Sequence, residues 1–245
     1  MEHSEYSSYY TSYIGDSLPK DADQFPDFSV EEQITYINSF KPDHFNNITE
    51  NGLKNLIASS VKNNPEKYLD KLKQFIPLQS IYVAGIIEGI MSAIQSSKIL
   101  DYKPVLTFIE QKIASESFNF KIKGERDYRR RLVSSITRLL NALVETKPLF
   151  DFTQEDLHRL ETIAITLLRN EDFFDKDENI NYSHLDHILN SLQGQLLESL
   201  LKIMATWAEK FSLEGSTKNG IIQQRSTLQV DYQEKKILIK TFQLY

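Results

Sequence analysis

The stretch QSIYVAGIIEGIMSAIQS, residues 79–96, reads as one helix. Val83, Ile86, Ile87, Ile90 and Ile94 recur at three- and four-residue steps, which puts them on one face. Two glycines, Gly85 and Gly89, sit four apart inside it. Each costs a helix about 1 kcal/mol relative to alanine, so their presence calls for a reason. The spacing predicts a neighbouring helix that comes close enough to leave no room for a side chain. The apolar run Ile81 to Ile94 contains Glu88 and falls short of the ~20 residues a membrane crossing needs.

The flanking segments repeat the helical pattern. Upstream, Ser29 and Glu32 form a capping box that opens a helix to about Ser39, before Pro42. Thr49 is placed to cap the next helix, whose apolar face is Leu53, Leu56, Ile57 and Val61. Asn64 and Pro65 end that helix and start another. The spacing of Tyr68, Leu69, Leu72, Phe75 and Ile76 predicts one continuous helix up to Pro77. Downstream, Asp101 and Pro104 announce a helix with Val105, Ile109 and Ile113. A loop over residues 118–124 precedes a helix carrying Leu132, Ile136, Leu139, Leu140 and Leu143. Beyond Pro148, Thr153 caps a helix with Leu157, Leu160, Ala164 and Leu167. The last stripe is Leu185, Leu189, Leu192, Leu196, Leu200, Ile203, Trp207 and Phe211, with Gly194 as an expected kink. Tyr68, Phe75, Tyr82, Phe108, Trp207 and Phe211 are expected in the core.

Only 8 of 245 residues are glycine and none is cysteine. Few glycines mean few tight turns and few phosphate loops. Disulfide scaffolds, thiolate metal sites and cysteine nucleophiles are excluded. No βαβ alternation appears, so the expected class is all-α. About eight helices joined by short links predict antiparallel neighbours. Sequential pairs with apolar faces on more than one side predict an irregular α-solenoid with HEAT-like repeats, and a compact irregular bundle is the rival. Residues 1–27 read as a mobile or loosely packed lead-in, residues 28–211 as the helical-repeat domain and residues 212–245 as linker and tail. In that tail, Leu228, Val230 and Tyr232 alternate with polar residues, and Ile237, Ile239 and Phe242 follow. The pattern predicts a short β-hairpin or a disordered tail. No apolar leader opens the chain, and a cytoplasmic setting is expected.

Few constellations carry chemistry. No Walker loop, dinucleotide fingerprint, nucleophile elbow or HExxH pair is present, and neither a catalytic residue nor a cofactor is expected. Asp175, Asp177, Asn179 and Ser183 fall at ligand positions of a calcium-binding EF-hand loop. Ile180 stands where that loop needs glycine, and Asp186 where it needs a longer carboxylate. The alternative is an acidic loop whose end caps the next helix. His184 and His187, one turn apart, could share a metal, and the alternative is an exposed helix end. From Lys121 to Arg131, six basic residues face two acidic ones. Arg126, Arg129, Arg130 and Arg131 are the candidate binding residues. Cations at a helix start oppose its macrodipole, so something should compensate. Either an external anion such as nucleic acid does so, or the acidic segment 151–186 does. The net charge of −6 favours the internal answer.

Several segments together resemble a known group. They are Asn51-Gly52-Leu53, residues 64–68 with Phe75, residues 81–83 with Gly89, residues 101–106, Tyr128-Arg129-Arg130 with Leu139 and Leu140, and residues 188–195. Their order is similar to the degenerate helical-repeat region toward the C-terminal end of large bacterial multidomain proteins of antiviral-defence type. Asn190, Ser191 and Gly194 match that group's Asn-Ser-x-x-Gly segment, with Gln193 in place of a commonly basic residue. The resemblance implies a non-enzymatic scaffold or sensing surface for a protein partner, an NTPase or effector subunit among them, with no membrane partner. It also implies that this chain is a helical piece of something normally larger. The alternatives are a nucleic-acid-associated helical protein using residues 121–131 and a metal-binding sensor.

Overall fold

A computed structural model describes residues 22–43, 48–98, 101–119, 125–145, 150–170 and 191–211. The chain divides into two compact units, Met1–Leu200 and Leu201–Tyr245. The described residues are mostly helical, so the all-α class stands. None of the described helices is long and apolar enough to cross a membrane.

The elements are α1 (Val30–Ser39), α2 (Glu50–Asn63), α3 (Glu66–Leu69), α4 (Ser80–Gln95), α5 (Lys103–Ala114), α6 (Glu116–Asn119), α7 (Glu125–Glu145), α8 (Gln154–Leu168) and α9 (Leu192–Phe211). The caps stand where residue chemistry puts them. Ser29 and Glu32 complete a capping box on α1, and Thr153 and Asp156 complete another on α8. The Thr49 hydroxyl accepts from the Gly52 amide at the start of α2.

Three expectations are corrected. The segment after Pro65 is not one helix. It breaks into α3 and a 3-10 turn at Leu72–Phe75, although Tyr68, Leu72 and Phe75 are all buried as expected. The two short turns bring those side chains inward without a continuous helical ladder. The stripe expected on α4 is a nearly all-round apolar surface, and only Glu88, Ser92 and Gln95 escape full burial. Gly194 does not kink a helix interior among the described residues. It lies in the first turn of α9, where its amide donates to the Ser191 hydroxyl at 3.0 Å. Packing also begins ahead of residue 28. Phe25 is buried, the Gln33 side chain donates to its carbonyl at 2.7 Å, and Lys67 holds the carbonyls of Pro26 and Phe28.

Within the first unit, α4 is wrapped by α2 on one side and α7 on the other. The glycines explain the first contact. A Cβ on Gly85 would lie 2.7 Å from the Lys54 carbonyl oxygen, and one on Gly89 would lie 2.6 Å from that of Ala58. The α2 backbone rests on these two bare positions. The register also fixes direction. Gly85 meets Lys54 and Ile57, and Gly89, one turn later, meets Ala58 and Val61, so α2 and α4 run parallel. Arg131 of α7 reaches Asn51 of α2, and Ser135, one turn later, reaches Glu88, the partner of Lys54. Helix α7 therefore runs parallel to both.

A second row packs by the same rule. Lys67 pairs with Pro26 and Phe28, and Lys71 and Gln74 pair with Glu31. Tyr102 pairs with Asp156, and Thr107 and Glu110 pair with Arg159. In each case later residues meet later residues. The segment of α3 and its 3-10 turn runs parallel to α1, and α8 runs parallel to α5. Between rows the sense reverses. The buried Lys112 near the end of α5 donates to the carbonyls of Ile76 and Leu78, just ahead of α4, at 2.9 Å each. The strongest neighbours are thus parallel and alternate in the chain, while the consecutive helices α4 and α5 run in opposite senses, as short links predict. Each link hands the chain to the other row.

Candidate functional site

Successive residues on a helix are turned by about 100°, so adjacent arginines point in different directions. The arginines of α7 follow that rule. Arg129 is buried, with only 5% of its surface exposed, and donates to the Phe118 carbonyl at 3.3 Å. It lines the interior and is not available to a partner on the surface. Arg131 is exposed and donates to the Asn51 side chain across the top of α4. Arg130 is half-buried, and the side chain of Arg126 lies outside the described residues. The four do not form one patch. At Arg129 and Arg131 the compensation for cations at a helix start is internal, through a carbonyl and an amide oxygen.

The same register builds a different face. Arg131, Ser135 and Arg138 are spaced by four and three residues and share one stripe of α7. Asn51, Lys54, Asn55, Ala58 and Lys62 share one of α2. Between them lie the few positions of α4 that are not fully buried. Glu88 is the hub. Lys54 donates to one of its oxygens at 2.9 Å and Ser135 to the other at 3.0 Å. Both members of the Lys54–Glu88 ion pair are largely shielded, their side chains 17% and 22% exposed. Low exposure strengthens such a pair by reducing solvent screening, and it is held by helices on both sides. Toward the far end, Lys62, Lys98 and Arg138 are exposed, and Lys98 donates to the Lys62 carbonyl at 3.2 Å. At the near end Tyr82 is buried. That burial, with Glu50 and Tyr128 nearby, pushes its phenol well above the ordinary range, so it stays neutral.

This face offers fixed hydrogen-bond donors and exposed cations. The described residues hold no group of three acidic or histidine side chains placed to bind a metal. The calcium-loop candidates Asp175, Asp177 and Asn179, the histidines His184 and His187, and the acidic residues from 171 onward lie outside the described residues. So does the tail from residue 212.

Sequence reading missed this face. Its signal was present in Glu88, the one charge in a 14-residue apolar run and flanked by two glycines. A charge at such a position needs partners from both neighbouring helices. Comparison with known proteins gave no match: no family model fits the chain, and no curated protein or solved structure is similar to it.

Proposed function

We propose that this chain is an α-solenoid of HEAT-like type that serves as a protein-interaction scaffold. In this reading the α2–α4–α7 face meets the partner. The observation that carries it is the pair of parallel rows. Stacked helical repeats place equivalent helices side by side and parallel, each packed against its counterpart in the next repeat. The spacing of the pairs that join neighbouring helices within each row supports it. Glu31 and Lys71 are 40 residues apart, Lys54 and Glu88 are 34, Glu88 and Ser135 are 47, and Glu110 and Arg159 are 49. HEAT-like units run to about 40–47 residues, so these are degenerate repeats around that length. The partner is a protein, for which an NTPase or effector subunit of a bacterial defence system is the proposed setting on the strength of the sequence resemblance. The nucleic-acid alternative uses the basic cluster 121–131, and within that cluster Arg129 is buried and donates to the Phe118 carbonyl.

The test is charge reversal on the face. Lys62→Glu, Lys98→Glu and Arg138→Glu combined should abolish capture and in-vitro rebinding of a protein partner, with an unchanged melting temperature. Lys73→Glu, in the other row, should leave binding intact. Binding indifferent to the triple reversal would overturn the assignment of the face. Recovery of nucleic acid alone, with affinity falling steeply in salt, would overturn the scaffold reading.

A further inference from the structure

A chain with 34 acidic and 28 basic residues has carboxylates to spare for its cations. In the second row they are used that way: Lys71 pairs with Glu31 and Arg159 with Glu110. The α2–α4–α7 face differs. Lys62, Lys98, Arg131 and Arg138 are exposed there, and none of them has a carboxylate partner among the described residues. Arg131 donates to the Asn51 amide oxygen and Lys98 to the Lys62 carbonyl, both neutral acceptors. Glu88, the acid in their midst, is already used, with Lys54 on one oxygen and Ser135 on the other. Lys62, in the last turn of α2, and Lys98, just past α4, also offset the negative ends of those helices. Arg131 and Arg138 lie in the interior of α7 and have no such use.

We propose, on the reading that the α2–α4–α7 face meets the partner, that it receives a short acidic stretch of protein chain. The charge is complementary, and the negative remainder of this molecule steers such a segment to the one place that attracts it. The length is bounded as well. Lys54 to Lys62 on α2 and Arg131 to Arg138 on α7 each span about 10–12 Å by helical rise, which about four extended residues cover. Glu50 and Asp127 stand near the helix starts and Glu145 at the far end of α7, so a longer acidic run meets like charge at both ends. Among the cations lie Asn55, Ser59, Ser92 and Gln95, none of them buried. Their amides and hydroxyls both donate and accept, which suits the N–H and C=O groups of an extended peptide. Nucleic acid fits less well. Its phosphates only accept, and among the described residues no aromatic ring stands between these cations for a base to stack on.

The probe is a labelled peptide of about eight glutamates, long enough to span the face when extended, titrated against the full-length chain by fluorescence anisotropy. It should bind in low salt and lose about tenfold in affinity by about 0.3 M salt, where screening is strong. Its glutamine counterpart should not bind. Lys62→Gln with Arg138→Gln should weaken binding about tenfold or more at an unchanged melting temperature, whereas Lys73→Gln should leave it unaltered. Failure of the glutamate peptide to bind in low salt would overturn the proposal. If the triple charge reversal still abolished capture of a protein partner in that case, the face would keep its role with a partner of other chemistry. Equal binding of the glutamine peptide, or binding indifferent to Lys62→Gln with Arg138→Gln, would also overturn it. Single-stranded DNA of equal charge binding more tightly than the peptide would assign the cations to nucleic acid instead.

Discussion

Gly85 and Gly89 show how single residues set the packing of α2 on α4. A Cβ at either position would press on a backbone carbonyl, which cannot swing aside as a flexible side chain can. Alanine is the better helix former by about 1 kcal/mol, so an exposed Gly→Ala change would stabilise. Here overpacking wins. Gly85→Ala and Gly89→Ala should each destabilise by about 1–3 kcal/mol in chemical denaturation. Ser97 should respond in the opposite sense. Its φ of 56° puts it in the left-handed region at the end of α4, where the Lys98 amide bonds the Ala93 carbonyl at 2.8 Å and the Ser97 amide bonds that of Ile94 at 2.8 Å. A position of this kind favours glycine, and Ser97→Gly should raise stability by about 1 kcal/mol. The glycine pair was legible in the sequence because its spacing has one physical use in a buried helix. Ser97 was not, since nothing in its neighbours marks a left-handed serine.

At the scale of elements, the junction of α5 and α8 turns on Asp156. Burial pulls its carboxyl upward, but hydrogen bonds from Thr153 and Tyr102 outweigh that and hold it below the usual carboxylate range. Tyr102 donates to it at 2.7 Å and packs against Phe150 and Phe152. A depressed folded-state value means the stabilisation is fully present above the unfolded value of about 4 and is lost as pH falls through the folded one. The stability difference between the unaltered protein and Asp156→Asn should therefore be largest near neutral pH and shrink below about pH 4. A difference constant with pH would show that the ionised form has no special role. The capping box at Thr153 could be foreseen from local sequence. Its link to Tyr102 could not, because the two residues lie 54 apart and meet only through the packing of α5 on α8. The same limit explains why α3 and its 3-10 turn looked continuous. Periodicity records which residues turn inward, and the two short turns satisfy it as well as one helix does.

In the first unit as a whole, helices α2, α4 and α7 lie parallel and in register. The all-α class and most helix ends followed from caps, prolines and period. The order of packing did not, because no repeat is sharp enough to show which helix meets which. Arginines at 126–131 looked like a patch for the same reason: a run of like residues in sequence is dispersed round a helix. Absence of cysteine makes the arrangement directly measurable, since introduced thiols meet no background. Cysteine pairs placed at Asn51 with Arg131 and at Lys62 with Lys98 should both be bridged rapidly by a short bifunctional thiol reagent. A pair at Asn51 with Glu145, about 21 Å further along α7 by helical rise, should not be. Bridging at the first two pairs alone is the predicted result, and efficient bridging of Asn51 to Glu145 without Asn51 to Arg131 would contradict the parallel stack.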